Sequence, residues 1–192
     1  MGQYIKMSEF TAKRLVIDAN VAIAASGEEK PENASRIFLE TVLAEKYIVV
    51  MTKKLLDEWR REGKEQKPSV FSITWLSKMA RDGDISRIDF LQDSTVHENI
   101  WTQISELYDV SQGQLAMSED FHLISASLET DKIVISLEKK VRVLFKKAAQ
   151  EVKELQDITW INPDKSEETP IEWLKSGANA EPERLLGFSR KL

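Results

Sequence analysis

Three short apolar runs divide the chain, at residues 15–17, 47–52 and 132–136. Each run is continuous and rich in β-branched residues, which is typical of strands buried on both faces of a parallel sheet. Between the runs, apolar residues recur every three or four positions and predict helices. This alternation predicts an α/β fold whose strands run mostly parallel and are joined by helical crossovers.

Several predicted helices carry signals for where they begin and which face is buried. Asn33 can cap the helix after the first run, and Ser118 can cap a helix that opens with Glu119 and Asp120. Between the second and third runs, one helix begins near residue 70 and another spans about residues 95–108, and together they predict a helical arm against the sheet. The apolar stripe of the first arm helix consists of Val70, Ile73, Leu76 and Ala80.

The C-terminal part is patterned less strongly. Residues 157–163 predict a last strand at the edge of the sheet, and a polar linker follows it. A short helix is predicted over residues 170–176, where Gly177 would stop it. We therefore expect a main domain at residues 1–163 and a C-terminal extension at residues 164–192.

Asp18 stands directly after the first apolar run, and Asn20 follows two residues later. Open α/β sheets bind ligands at the carboxyl ends of their strands, so a carboxylate there is rigidly held and faces a crevice. The alternative is that Asp18 only caps the next helix. The choice depends on whether other carboxylates occupy equivalent places.

Two further acids lie on helices beside the predicted sheet. Glu58 falls on the flank of the buried stripe of its helix, and the alternative is an ordinary solvated acid. Asp120 falls within the apolar arc of its own helix, where a carboxylate costs free energy unless it is paired or binds a metal. Capping of the helix is the alternative for Asp120, and His122 is expected to point the other way, into solvent.

A fourth acid, Glu138, lies just beyond the third apolar run. Strands that point the same way bring Asp18 and Glu138 to the same edge of the sheet. With Glu58 after the second strand and Asp120 at the start of a helix, the chain carries an ordered set of four acids near strand ends.

The order and spacing of these motifs resemble the PIN-domain family of metal-dependent nucleases. The resemblance covers about residues 14–145. The family usually has Asp where this chain has Glu138, which keeps the charge and lengthens the reach. The matching segments are VIDANV at residues 16–21, Thr52 followed six residues later by Glu58, DFHLISA at residues 120–126 and IVISLE at residues 133–138.

The resemblance implies a three-layer α/β/α fold and a metal-dependent endoribonuclease that cuts partly single-stranded RNA. Crowded carboxylates repel each other, and one or two Mg²⁺ or Mn²⁺ ions would relieve that repulsion and activate a water. Asp18, Asp120 and Glu138 would bind the metal directly or through water. Glu58 would be a further ligand or would orient the water. The side chains that would hold carboxylates or waters in place are Asn20 and Ser136.

The amino-acid composition also favours a metal site built from carboxylates. The chain has no Cys, which excludes disulfides and thiolate metal sites, and its two His argue against a His-rich zinc site. Carboxylate chemistry remains, which suits Mg²⁺ or Mn²⁺. The lack of Cys makes a cytoplasmic location the default, and no apolar run approaches the ~20 residues needed to cross a bilayer.

The charge pattern bears on the RNA substrate. A net charge of −5 is not that of a protein that coats nucleic acid, but a local basic rim around an acidic site remains open. Two basic runs could bind phosphates or simply be solvated helix faces. Trp59 and Trp75 could stack on bases, although core packing is favoured for both. The basic runs are Lys53, Lys54, Arg60, Arg61 and Lys64, and Lys139, Lys140, Arg142, Lys146 and Lys147.

Other functions remain open from the sequence. The chain could be a PIN-like toxin held inactive by an antitoxin-like protein partner, or a non-catalytic PIN-like module that binds nucleic acid or protein. The intact set of acids argues against the module. A phosphohydrolase built on Asp18 would want a second Asp at position 20, where Asn20 stands. The RNA target and homodimer formation stay open.

Overall fold

The computed structural model of the protein describes residues 12–26, 33–65, 67–88, 94–108 and 112–189. The strands are β1 Arg14–Ile17, β2 Ile48–Met51, β3 Ile85–Arg87, β4 Ile133–Ile135 and β5 Thr159–Ile161. The helices are α1 Ala19–Ala25, α2 Ala34–Ala44, α3 Lys53–Trp59, α4 Val70–Asp82, α5 Ser94–Glu106, α6 Gln112–Leu128, α7 Lys139–Ala148 and α8 Pro170–Lys175.

The five strands form one parallel sheet in the order β3-β2-β1-β4-β5. The predicted parallel sheet is therefore confirmed, and β5 lies at its edge as expected. From β1 the chain moves outward through β2 to β3 and then returns to the other side of β1 to form β4. This reversal opens a crevice at the carboxyl ends of β1 and β4, where α/β sheets bind their ligands.

The helices form two groups around the sheet. In one group α1 contacts α2, α3 and α4, and α2 contacts α8. In the other group α6 packs against β1 and β4 and contacts α5 and α7. The sheet is thus the middle layer of a three-layer α/β/α fold. None of the helices in the described ranges is long and apolar enough to cross a membrane.

The hydrophobic core buries strand β1 and two tryptophans of the helices. Leu15, Val16 and Ile17 are all fully buried, as a strand covered on both faces requires. The rings of Trp59 and Trp75 are also buried and stack on each other, with centroids 5.3 Å apart. The predicted core packing of these two tryptophans is therefore confirmed.

Two expectations about the helical arm are wrong. Strand β3 was not expected, because Ile85–Arg87 is short and only half-buried and so lacks an apolar run. It follows Gly83, which ends α4 in a left-handed conformation (φ 80°) that suits glycine. The buried face of α4 also differs in part, because Leu76 packs against the core as expected whereas Val70, Ile73 and Ala80 are exposed. The buried residues of α4 are instead Ser72, Trp75 and Met79.

The helix boundaries differ at two further places that bear on the site. Ser118 does not cap α6, which begins at Gln112. The Ser118 hydroxyl instead donates to the Leu115 carbonyl 2.7 Å away, within the helix. Asp120 is therefore in the interior of α6 rather than in its first turn. The Asn33 cap is as expected, since its side chain accepts from the Arg36 N–H at 3.1 Å.

Candidate active site

The four predicted acids meet at one pocket at the carboxyl ends of β1 and β4. The pocket has a volume of about 600 Å³ and lies between the α1 N-terminus, α3 and α6. Its walls include Asp18, Glu58, Asp120 and Glu138. Residues separated by as many as 120 positions along the chain thus come together at the point where the strand order reverses.

Asp18 is the most buried of the four acids, with 8% of its surface exposed. Its Oδ1 caps α1 by accepting from the Asn20 N–H at 3.2 Å, and its Oδ2 accepts from the Ser136 hydroxyl at 2.7 Å. Burial raises the pKa of Asp18, against the opposing effect of these two hydrogen bonds. The capping role and a place in the pocket are therefore compatible.

A network of hydrogen bonds ties the end of β1 to the end of β4. The Asn20 amide donates to the Ser136 Oγ at 3.2 Å, and the Asn20 Oδ1 accepts from the Leu137 N–H at 3.3 Å. The Ser136 Oγ also accepts from the Glu138 N–H at 3.1 Å. Asn20 and Ser136 thus hold the backbone and carboxylate groups around Asp18 in place, as expected from the sequence.

Asp120 projects from α6 into the same pocket. Burial and then the negative charge of Asp18 raise the pKa of Asp120 from 3.8 to about 7, and Glu138 and Glu58 add to the rise while His122 opposes it. A carboxyl group with so high a pKa is typical of a site where several acids crowd together. Asp120 therefore lies close enough to the other three acids for their charges to affect it, as the sequence predicts.

Glu58 has a partner that the sequence did not predict. The His122 ring was expected in solvent, but only 13% of its side chain is exposed and its Nε2 lies 3.0 Å from Glu58 Oε2. Its Nδ1 lies 2.9 Å from the Glu119 carbonyl oxygen, which can only accept. The two contacts hold the ring between the Glu58 carboxylate and the backbone of α6. His122 thus orients Glu58.

Glu138 is the most exposed of the four acids. It occupies the N-cap position of α7, but its side chain makes no capping hydrogen bond there. The carboxylate is therefore directed by its backbone, which the Ser136 Oγ anchors. Glu138 lines the pocket from this exposed position at its rim.

Basic side chains border the pocket on one side. Lys54 donates to the Glu119 carbonyl at 2.7 Å and lies 3.9 Å from Glu58 Oε1, so it bridges α3 and α6. The second basic run is divided, because Arg142 pairs with Glu168 away from the pocket whereas Lys139 and Lys140 are exposed. The basic residues that line the pocket are Lys53, Lys54, Arg61 and Lys64.

The donors of the pocket suit a hard divalent cation. Asp18, Glu58, Asp120 and Glu138 offer carboxylate oxygens, which Mg²⁺ and Mn²⁺ prefer, and their mutual repulsion favours a cation among them. Within the described ranges, no three acid or histidine side chains already form a metal-binding group. Since Mg²⁺ is usually held by one or two carboxylates and several waters, this looser arrangement still fits it.

The sequence matches no protein-family model and no curated protein. The functional assignment therefore depends on the geometry and chemistry of the pocket.

Proposed function

We propose that this protein is a PIN-like, metal-dependent endoribonuclease that cleaves phosphodiester bonds of partly single-stranded RNA. The observation that carries the proposal is the meeting of four acids from separate elements at the point where the strand order reverses. The pKa of Asp120, raised to about 7 by burial and by the neighbouring acids, supports it, because a buried carboxylate among other acids is unfavourable without a bound cation.

The residues divide the work between holding a cation and holding each other. Asp18, Asp120 and Glu138 line the pocket together and would hold the cation directly or through water. When bound, Mg²⁺ or Mn²⁺ supplies positive charge to the phosphate and activates a water for in-line attack. Glu58, oriented by His122, would be a further ligand or would align the attacking water.

The fixed network behind the acids keeps this arrangement rigid. Ser136 and Asn20 hold Asp18 through hydrogen bonds of 2.7 and 3.2 Å, so the carboxylate need not reorganise when the substrate arrives. The basic rim of Lys53, Lys54 and Lys64 supplies charge for neighbouring phosphates of the strand. The lack of cysteine supports action in the cytoplasm, where disulfides are rare.

A nuclease assay on a panel of single- and double-stranded RNAs tests the proposal. With Mn²⁺ the protein is expected to cut single-stranded RNA, and a chelator is expected to stop it. Asp18→Asn and Asp120→Asn should each lower the cleavage rate by about 10²–10³-fold, as losses of a charge-stabilising group do. Both changes keep nearly the same volume, so the fold should persist.

Glu40→Gln is a matched control for Glu58→Gln, because it removes the same charge by the same change of residue. Glu40 is exposed on α2 and does not line the carboxylate pocket. Removing its charge should leave most of the activity, whereas Glu58→Gln should not. A non-catalytic binding module would instead bind RNA or protein equally well with chelator and with Asp18→Asn. That result, with no RNA cut in Mn²⁺, would overturn the nuclease.

A further inference from the structure

A second pocket lies beside the carboxylate pocket, between α5 and α6. Its volume is about 430 Å³, within the range of small-molecule sites, about 300–1,000 Å³. Trp101 and Phe121 form much of its wall, and their ring centroids are 5.1 Å apart at an angle of 52°. Both rings are only partly buried. Part of each aromatic ring is therefore accessible from the cavity and is not covered by the core.

One face of α6 builds this pocket while another builds the carboxylate pocket. Ser118, Phe121, His122 and Ser125 follow the helical spacing of three, four and seven, and all four line the aromatic pocket. Asp120, one position before Phe121, turns by about 100° and lines the carboxylate pocket instead. The two pockets are thus held at a fixed separation by a single helix.

Lys54 and His122 form the partition between the two pockets. Lys54 lines both of them. His122 lines the aromatic pocket and contacts Glu58, which lines the carboxylate pocket. The Lys54 ammonium, half exposed, stands between an apolar aromatic cavity and an acidic one. A ligand that spans the partition therefore meets an aromatic surface, a positive charge and the acids in that order.

We propose that the aromatic pocket is a base-binding subsite that holds one unpaired nucleobase of the RNA strand whose phosphodiester lies in the carboxylate pocket. This inference rests on the proposed nuclease function and adds a substrate requirement to it. Every base has a π-face that can stack on Trp101 and Phe121, and Ser118 and Ser125 line the same pocket. The Ser118 oxygen remains free to accept from the edge of a base, since its proton is donated to the Leu115 carbonyl. Lys54 then faces the phosphate that links the two sites.

The arrangement predicts a preference for single strands. A base inside a duplex is stacked and paired, and seating it in the pocket would require it to be turned out of the helix. An unpaired base enters without that cost. Because stacking tolerates any base, we expect a requirement for a base at one position of the strand rather than a strict sequence.

The test combines variants of the pocket with strands that lack single bases. Binding of a short fluorescein-labelled single-stranded RNA is measured by anisotropy in Ca²⁺, with the carboxylates intact, and cleavage is measured separately in Mn²⁺. Phe121→Leu and Trp101→Leu should each weaken binding about 5–150-fold. Phe71→Leu is the matched control, because Phe71 is partly buried on α4 and contacts Arg36 rather than this pocket.

An abasic site is then moved along the strand. At one position it should weaken binding to the unmodified protein by a similar factor, and at that position it should have little effect on Phe121→Leu or Trp101→Leu, since base and ring act together. Equal affinities at every abasic position overturn the proposal without any variant, so a poorly folding variant does not decide the outcome. Variants that bind RNA normally also overturn it, including the case where the pocket takes a side chain of a protein partner.

The two readouts separate this inference from the proposed nuclease. Coupling between base and ring without any cleavage in Mn²⁺ would retain the base subsite and overturn the nuclease. Cleavage in Mn²⁺ without coupling between base and ring would retain the nuclease and overturn the base subsite. Absence of both RNA binding and cleavage would overturn both.

Discussion

Replacing Asp120 by Asn should stabilise the metal-free protein at neutral and alkaline pH. In the folded chain, burial and the neighbouring acids raise the pKa of Asp120 from 3.8 to about 7. The folded chain therefore binds this proton more tightly than the unfolded chain, and the free energy of unfolding falls as the pH rises from about 4 to about 7. Above about pH 7, Asp120 is charged in both states, and the free energy of unfolding no longer changes because of this group.

The size of the effect follows from the same pKa. The full difference corresponds to about 4 kcal/mol, at about 1.36 kcal/mol for each pH unit. Asp120 is only partly buried, and solvent screens its interactions, so about 1–2 kcal/mol is the expected gain. Since about 1 kcal/mol shifts the melting temperature by about 2–4 °C in a chain of this size, Asp120→Asn should melt about 2–8 °C higher at pH 8.

The assay is thermal and urea unfolding in chelator, at pH 5 and pH 8. Asp120→Asn should gain more stability at pH 8 than at pH 5, and Glu119→Gln, an exposed neighbour on α6, should gain little at either pH. Mn²⁺ should then raise the melting temperature of the unmodified protein more than that of Asp120→Asn. An Asp120→Asn protein no more stable than the unmodified one at pH 8 would refute the idea that burial and the neighbouring acids disfavour the charged form of Asp120.

Individual side chains of the site and the core give three further predictions. Ser136→Ala removes the 2.7 Å hydrogen bond to Asp18 and should lower metal-dependent cleavage about 10–100-fold in a rate assay, with a smaller decrease in stability. Replacing both Lys139 and Lys140 by Ala should weaken RNA binding and reduce the slope of log affinity against log salt by about 0.7 for each phosphate that the variant no longer neutralises, measured by anisotropy over a salt series. Trp59→Ala should lower the free energy of unfolding by about 3–5 kcal/mol in urea, because it empties a buried position and leaves the Ile17 carbonyl without its 3.0 Å donor.

The central strands could be predicted because the residues of each strand form a continuous apolar run that is visible in the local sequence. Leu15, Val16 and Ile17 are apolar without interruption, and only a strand covered on both faces buries such a run completely. Strand β3 carries no such signal, since Ile85 and Ser86 are half-buried and Arg87 is exposed at the edge of the sheet. Its formation depends on pairing with β2, which is a contact between distant residues.

The faces of helices were predictable only where one side was covered. On α4 the predicted stripe is buried only at Leu76, and the buried face is rotated toward Ser72. The Ser72 hydroxyl donates to the Ala22 carbonyl at 3.3 Å, so this polar side chain can be buried. On α6 the helical periodicity correctly predicted that Asp120 faces inward, but it wrongly predicted that His122 points into solvent. Because α6 contacts both the sheet and other helices, more than one of its faces is covered, and a single-stripe wheel cannot show this.

The C-terminal extension is tied to both the core and the candidate site. Trp173, Leu174 and Leu186 are buried in the same core as the sheet, and the Tyr47 hydroxyl donates to the Leu174 carbonyl at 2.6 Å. Glu168 accepts from the Asn162 N–H at 3.1 Å and pairs with Arg142 of α7. Since α7 begins directly after Glu138, the extension helps to set the position of that acid.

Removing residues 164–192 should therefore unfold the protein rather than trim an appendage. Trp173, Leu174 and Leu186 would each leave a void of the kind that costs about 2–5 kcal/mol, and together these costs are comparable with the stability of a typical domain, about 5–15 kcal/mol. Trp173→Ala should lower the free energy of unfolding in urea by several kcal/mol, whereas Lys175→Ala, exposed on the same helix, should lower it little. A truncated protein that unfolds cooperatively and still cuts RNA in Mn²⁺ would show that the extension holds neither the core nor Glu138.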